Sequence, residues 1–229
     1  MKSIFKGLTN NQLKILACFS MLLDHVGKEL LPDIKLLQII GRIAFPVFAF
    51  MIAEGCCYTR NKRAYFLKIS GLALGCQFVY FIAERSFYQN VLVTFSLAVL
   101  TIFAVDAVRK RRNALSVVWL LTDIAVVLFL CFGFPEIVSG FHIDYGIFGL
   151  MLPVAVYLAP KKSVKLIVLT VFLTLLSIDL GGIQWYSLIS VIILALYNGK
   201  RGKINLKYLF YIFYPLHLAL IYLVKILFF

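Results

Sequence analysis

The sequence predicts an all-α, polytopic helical membrane protein with about nine transmembrane helices, N-terminus inside and C-terminus outside. Three observations carry that expectation. Of 229 residues, 62% are hydrophobic and only 14% charged, whereas a soluble domain is closer to half apolar and a quarter charged. The apolar residues come in runs of about twenty, the length that crosses ~30 Å of hydrocarbon as a helix. The basic residues sort into alternate breaks between the runs, as cytoplasmic loops do. No break is long enough for a soluble domain, so 1–229 reads as a single transmembrane domain.

Span one, 11–31, follows Lys2 and Lys6 and so resembles a signal peptide. It contains Lys14 and Asp24 and lacks a small-x-small cleavage site, so it reads as a retained helix. Spans two to five are 36–57, 64–85, 90–108 and 113–133. The longest loop, roughly 133–143, holds Gly133, Pro135, Gly140 and His142. Spans six, seven and eight, 144–159, 164–180 and 184–198, are short for a straight crossing, and one of them is expected to be re-entrant, broken or covered by protein. Span nine is 206–229. With the N-terminus inside, the inner segments hold Lys2, Lys6, Arg60, Lys62, Arg63, the run Arg109-Lys110-Arg111-Arg112, Lys161, Lys162, Lys165, Lys200, Arg201, Lys203 and Lys207, and no acidic residue. The outer segments mix Lys28, Lys35 and Arg85 with Glu29, Asp33, Glu84, Glu136, Asp144 and Asp179. A miscounted set of spans would scramble that alternation.

The net charge of +13 lies in these short loops, which argues for topology signals and a lipid-bilayer setting and against nucleic acid as partner. Five cysteines, Cys18, Cys56, Cys57, Cys76 and Cys131, lie within or at the edges of apolar spans without a CxxC pair or a histidine at ligand spacing. No disulfide framework and no metal site is expected.

Lys14, Asp24, His25, Arg42 and Glu54 interrupt the first two spans. Ionisable groups in lipid are costly, so they are expected to face an enclosed polar site. Lys14 and His25 lie about 16 Å apart along the helix and close to three full turns, on one stripe, with Asp24 on its flank. A short loop makes spans one and two antiparallel neighbours. Arg42 then meets Asp24 and His25 at one depth in the outer half, and Lys14 and Glu54 fall near one depth at the inner end. Asp24 with Arg42 is the natural ion pair. In span nine, His217 lies near mid-membrane with Tyr214 on the same face and Pro215 between them; a plain interhelical hydrogen bond serves His217 equally well. Asp106 is expected to pair with the basic run 109–112, while Asp123 and Gln77 have no clear role. His142, Asp144 and Tyr145 cluster at an outer loop, where His142 is a candidate substrate contact. Asp179 to Gly182 with Trp185 and Tyr186 mark another outer turn with interfacial aromatics.

The residues Leu8-Thr9-Asn10-Asn11-Gln12-Leu13-Lys14, Met21-Leu22-Leu23-Asp24-His25-Val26-Gly27 and Gly41-Arg42-Ile43-Ala44-Phe45-Pro46-Val47-Phe48-Ala49-Phe50 resemble the TraX family. So do Ala53-Glu54-Gly55, Tyr58-Thr59-Arg60, Asn90-Val91-Leu92 with Thr94, Asp144-Tyr145-Gly146 with Gly149, and Tyr211-Ile212-Phe213-Tyr214-Pro215-Leu216-His217-Leu218. That family is named for the acetylase of the conjugative pilin N-terminus. It is similar to a superfamily of integral-membrane acyltransferases with a basic residue and a histidine, ten residues between them, in the first span. Lys14 and His25 stand at that spacing, with lysine where arginine is commoner, which removes the bidentate fork.

The resemblance implies acyl transfer from acetyl-CoA, used as acyl-donor substrate, to an amine or hydroxyl of an unknown peptide or envelope acceptor, in the bacterial inner (cytoplasmic) membrane. The expected roles are His25 as base, Asp24 orienting it, Arg42 holding Asp24 or stabilising oxygen charge, and Lys14 with Glu54 at the CoA end. His217, Tyr214 and His142 are expected at the acceptor. Direct transfer and an acyl-histidine route both remain open. Two other readings fit the same buried charges: a proton-coupled transporter or flippase, for which no inverted repeat is visible, and a non-catalytic component of a conjugation or secretion complex.

Overall fold

A computed structural model of the chain describes residues 7–203 and 206–228. The helices, in order, are α1 (Asn10–Glu29), α2 (Lys35–Gly41), α3 (Ala44–Tyr58), α4 (Lys62–Glu84), α5 (Val91–Arg111), α6 (Ala114–Leu128), α7 (Phe134–Ile137), α8 (Gly146–Leu158), α9 (Lys162–Leu180), α10 (Ile189–Ala195) and α11 (Lys207–Phe228). A π turn, Phe129–Gly133, joins α6 to α7, and a 3₁₀ segment, Gly182–Leu188, leads into α10. Polar caps set several starts. Thr9 and Gln12 close a reciprocal capping box on α1. Asn61, Asn90 and Asn113 accept from the first-turn amides of α4, α5 and α6.

Helical runs occupy the predicted spans, with two breaks the sequence reading passed over. The expected single helix 36–57 is divided at Arg42 and Ile43. Pro46 explains this, since it cannot donate to the carbonyl of Arg42 and its ring crowds that carbonyl. Likewise Pro135 cannot donate to Cys131, and the backbone there relaxes into the π turn. The segment expected as the start of a long loop is thus helical as far as Ile137.

Among the described residues, six helical stretches are long and apolar enough to cross a membrane: Lys35–Tyr58, Lys62–Ile82, Val91–Arg111, Ala114–Ile137, Lys162–Leu180 and Tyr211–Phe228. Helix α1 is not among them, because Asn10, Asn11, Lys14, Asp24 and His25 dilute its apolar run. Helix α8 spans only about 20 Å and the 3₁₀–α10 segment about 25 Å. Broad apolar faces remain exposed on α4 (Leu67, Leu74, Phe78), α6 (Leu115, Val118, Leu121) and α11 (Ile212, Leu216, Leu220). In water such faces would aggregate; in lipid they are at home.

The chain divides into two compact units, one made of the chain up to Met51 and from Leu169 on, the other of Ile52–Val168. In the first, α1 packs antiparallel to α2. Gln38 Nε2 donates to the Gly27 carbonyl at 3.0 Å, and Arg42 pairs with Asp24. Helix α1 runs parallel to α11. Asn11 N donates to the Arg201 carbonyl at 3.2 Å, His25 meets His217, and Glu29 meets Lys225 at 2.7 Å. In the second unit, α5 is the central helix and packs against α4, α6 and α8, with Phe95, Ala98, Val99 and Ile102 buried. The loops 85–90 and 141–145 are stitched by a bridge between Gln89 and Ile143 and by Tyr88 Oη donating to Asp144 at 2.6 Å. Burial and the Asp144 carboxylate push the Tyr88 phenol up.

Gly41 sets the spacing of α1 and α2. A Cβ there would overlap Cβ of Asp24, an atom close to the backbone that cannot swing aside. Gly41→Val is expected to lower stability by about 1–3 kcal/mol, the usual cost of overpacking. Thermal unfolding in nanodiscs checks it, with Gly71→Val, where a Cβ meets nothing within 4 Å, as the silent control.

Candidate functional site

The first unit gathers a cluster of polar side chains in an apolar surround. Asp24 is buried, at 6% exposure. Arg42, at the end of α2 where the helix breaks, directs Nη2 to Asp24 Oδ1. Its Nη1 reaches Gln184 Oε1 at 3.5 Å, and its Nε donates to the Gln38 carbonyl at 3.3 Å. Lys28, one turn along α1, reaches the other carboxylate oxygen at 2.7 Å. The expected Asp24–Arg42 pair therefore forms.

The hydrogen-bond contacts of the His25 ring go to partners other than Asp24. Adjacent positions on a helix point about 100° apart, and the Asp24 carboxylate is engaged by Arg42 and Lys28. His25 Nδ1 instead meets the Met21 carbonyl at 2.9 Å and His217 Nε2 at 3.2 Å. His217 Nδ1 meets the Phe213 carbonyl at 2.8 Å. One protonation pattern satisfies all three contacts. A carbonyl only accepts, so both Nδ1 atoms carry hydrogen. His217 Nε2 must then be a bare lone pair, because a second N–H would face the His25 Nδ1–H. His217 is therefore neutral, and His25 donates through Nδ1, with its Nε2 outside these three contacts.

His217 is 3% exposed. Phe213 stacks on it at 4.7 Å and 11°, and Tyr214 meets it edge-on at 5.6 Å. These contacts fix the ring through packing on α11.

The remaining candidates have other surroundings. Lys14 is half-buried on α1 and within electrostatic reach of Arg201. Glu54 lies in the second unit, where its carboxylate accepts from Lys165 Nζ at 2.5 Å. His142 is exposed in that unit, and its carbonyl accepts from Gln89 N at 2.8 Å. Asp106 pairs with Lys62, accepts from Tyr157 Oη at 2.6 Å and lies 3.8 Å from Lys110, one of the basic run expected to hold it. Asp123 is buried with Oδ2 unpartnered among the described residues. Gln77 clamps the 85–90 loop through Tyr88 and Asn90. The described residues hold no group of three or more acidic, histidine or cysteine side chains arranged for a metal.

Gln184 and Ser187 were missed. Their signal was present: two polar residues three apart, just after Gly181-Gly182, opening an otherwise apolar run.

Compared with known proteins, residues 9–225 match the family model described as TraX protein. The chain belongs to that family. It is 28% identical, over 92% of its length and 93% of the relative's, to a probable fimbrial assembly protein FimC of Dichelobacter nodosus. A shorter stretch of 49 residues, 20% of either chain, is 49% identical to an uncharacterised protein of Rickettsia prowazekii. No solved structure matches. Family and helices together make this an all-α, multi-pass membrane protein, consistent with the inner (cytoplasmic) membrane.

Removing one partner of a buried ion pair strands the other. Asp24→Asn or Arg42→Gln alone is expected to cost about 3–5 kcal/mol, and the double substitution less than the sum of the two. Unfolding midpoints of all four proteins in one detergent measure that coupling.

Proposed function

We propose that the chain is an integral-membrane acyltransferase that moves an acetyl group from acetyl-CoA to an amine or hydroxyl acceptor, with His25 as general base. The observation that carries this reading is the histidine pair. His25 Nδ1 is held by a carbonyl and a second imidazole, and its Nε2 takes no part in those contacts. A ring held in this way can serve as a base through its other nitrogen when neutral.

In this reading acetyl-CoA supplies the activated thioester. His25 Nε2 takes the proton from the attacking amine or hydroxyl as the new C–N or C–O bond forms. The C–S bond breaks, and His25 returns the proton to the departing thiolate. While His25 is charged, the Met21 carbonyl and the His217 lone pair hold its Nδ1–H and spread the charge. This gives His217 the role that the sequence assigned to Asp24. Asp24 instead anchors Arg42, whose guanidinium is placed to favour negative charge on oxygen.

Lys14, about three turns from His25 along α1, and Arg201, within electrostatic reach of it, suit the phosphate-bearing end of the donor. Glu54 does not suit phosphate, and its service is to fix Lys165. The full topology proposed is nine spans, N-in and C-out, in one membrane domain. The parallel run of α1 and α11 supports an odd number of crossings, since first and last spans then point the same way. The acceptor is proposed to be a pilin-like peptide or another envelope molecule. The family match and the relative named for fimbrial assembly support that class.

The protein in nanodiscs with radiolabelled acetyl-CoA tests the reading. His25→Ala is expected to keep donor binding and to lose about 100-fold or more of transfer or donor turnover. Lys14→Ala is expected to weaken binding. Folded wild-type protein that neither binds nor consumes the thioester would remove the enzyme reading.

A further inference from the structure

The 3₁₀ segment Gly182–Leu188 carries two buried polar side chains, one of which, Gln184, meets Arg42. Gln184 is 3% exposed and Ser187 0%. Gln184 Oε1 accepts from Arg42 Nη1, and this fixes the amide's orientation, because turning it over would set its NH₂ against the guanidinium N–H groups. Nε2 therefore points away from Arg42. It has no partner among the described residues, and neither has Ser187 Oγ.

Two other buried serines of this unit behave differently. Ser177 Oγ donates back to the Leu173 carbonyl at 2.7 Å, and Ser190 Oγ to the Ser187 carbonyl at 2.6 Å. That back-bonding is the usual resolution for a hydroxyl on an apolar helix. Gln184 and Ser187 lie three residues apart where a turn takes three residues, so their side chains leave on one face. Two desolvated donors on one face are costly unless an oxygen accepts from them.

We propose that Gln184 Nε2 and Ser187 Oγ bind the carbonyl oxygen of the acyl group carried by the thioester. This rests on the acyl-transfer reading above. The chemistry selects a carbonyl on two grounds. The two unpartnered groups are an amide and a hydroxyl, neutral donors rather than cations, which suits an uncharged oxygen over a free anion. A carbonyl oxygen has two lone pairs and no proton, so it can take both donors at once. An attacking amine or hydroxyl must give up a proton, and the Gln184 amide, whose oxygen is held by Arg42, offers it only a donor. The pair thus orients the acyl group and favours charge on its oxygen as bonds rearrange.

Isotope-edited infrared spectroscopy of [1-¹³C]acetyl-CoA bound to the nanodisc protein reads this contact directly. The labelled carbonyl band is expected to move to lower frequency on binding to wild type and back toward its free value in Gln184→Glu and Ser187→Ala. The glutamate keeps an oxygen for Arg42 and loses the donor; if it does not fold, Ser187→Ala decides alone. Bound donor whose band matches free acetyl-CoA, or is the same in wild type and variants, overturns the subsite and leaves the acyltransferase reading standing. Wild-type protein that does not bind acetyl-CoA overturns the acyl-transfer reading, and the subsite with it.

Discussion

A carboxylate buried between helices must meet a cation, and the meeting of Asp24 with Arg42 is the contact on which the rest of the site depends. It ties α1 to α2 where both carry a charge that lipid would reject. Three sequence features make it possible. Gly41 lets the two helices approach closely enough, Pro46 breaks the helix just after Arg42, and Gln184 receives the other arm of the guanidinium. Desolvation cancels much of the attraction within such a pair. Its value is therefore geometric, because few arrangements of α1, α2 and the 3₁₀ segment satisfy both charges at once.

With Asp24 occupied by Arg42 and Lys28, the ring contacts of His25 on the neighbouring stripe of α1 go to other groups. The His25 ring is set by its own helix carbonyl and by His217, and His217 is set by Phe213 and Tyr214. Phe213 and Tyr214 thus wall in a ring that is itself 3% exposed.

Much of this was legible in the chain. The spacing of Asp24 and Arg42 about a short loop foretold their pairing, and hydropathy located the helical runs. The breaks were legible too, in Pro46 and Pro135, but a hydropathy window averages over a single proline. His217 could not be placed beside His25 from spacing. The two are 192 positions apart, and only the parallel packing of α1 and α11 brings them together. Spacing alone did not point the His25 ring to Met21 and His217, since chain neighbours on a helix face different ways. Gln184 and Ser187 sat among interfacial aromatics, where a polar residue looks unremarkable until its buried amide is seen without an acceptor.

The central claim is that the rings of α1 and α11 share a hydrogen bond. The chain has three histidines, so ¹⁵N-histidine labelling gives a spectrum simple enough to assign by substitution. Solid-state NMR in lipid bilayers should show a through-space correlation between the His25 and His217 imidazole nitrogens, with both rings neutral near pH 7. Two rings that correlate only with lipid or water, and not with each other, would contradict the account.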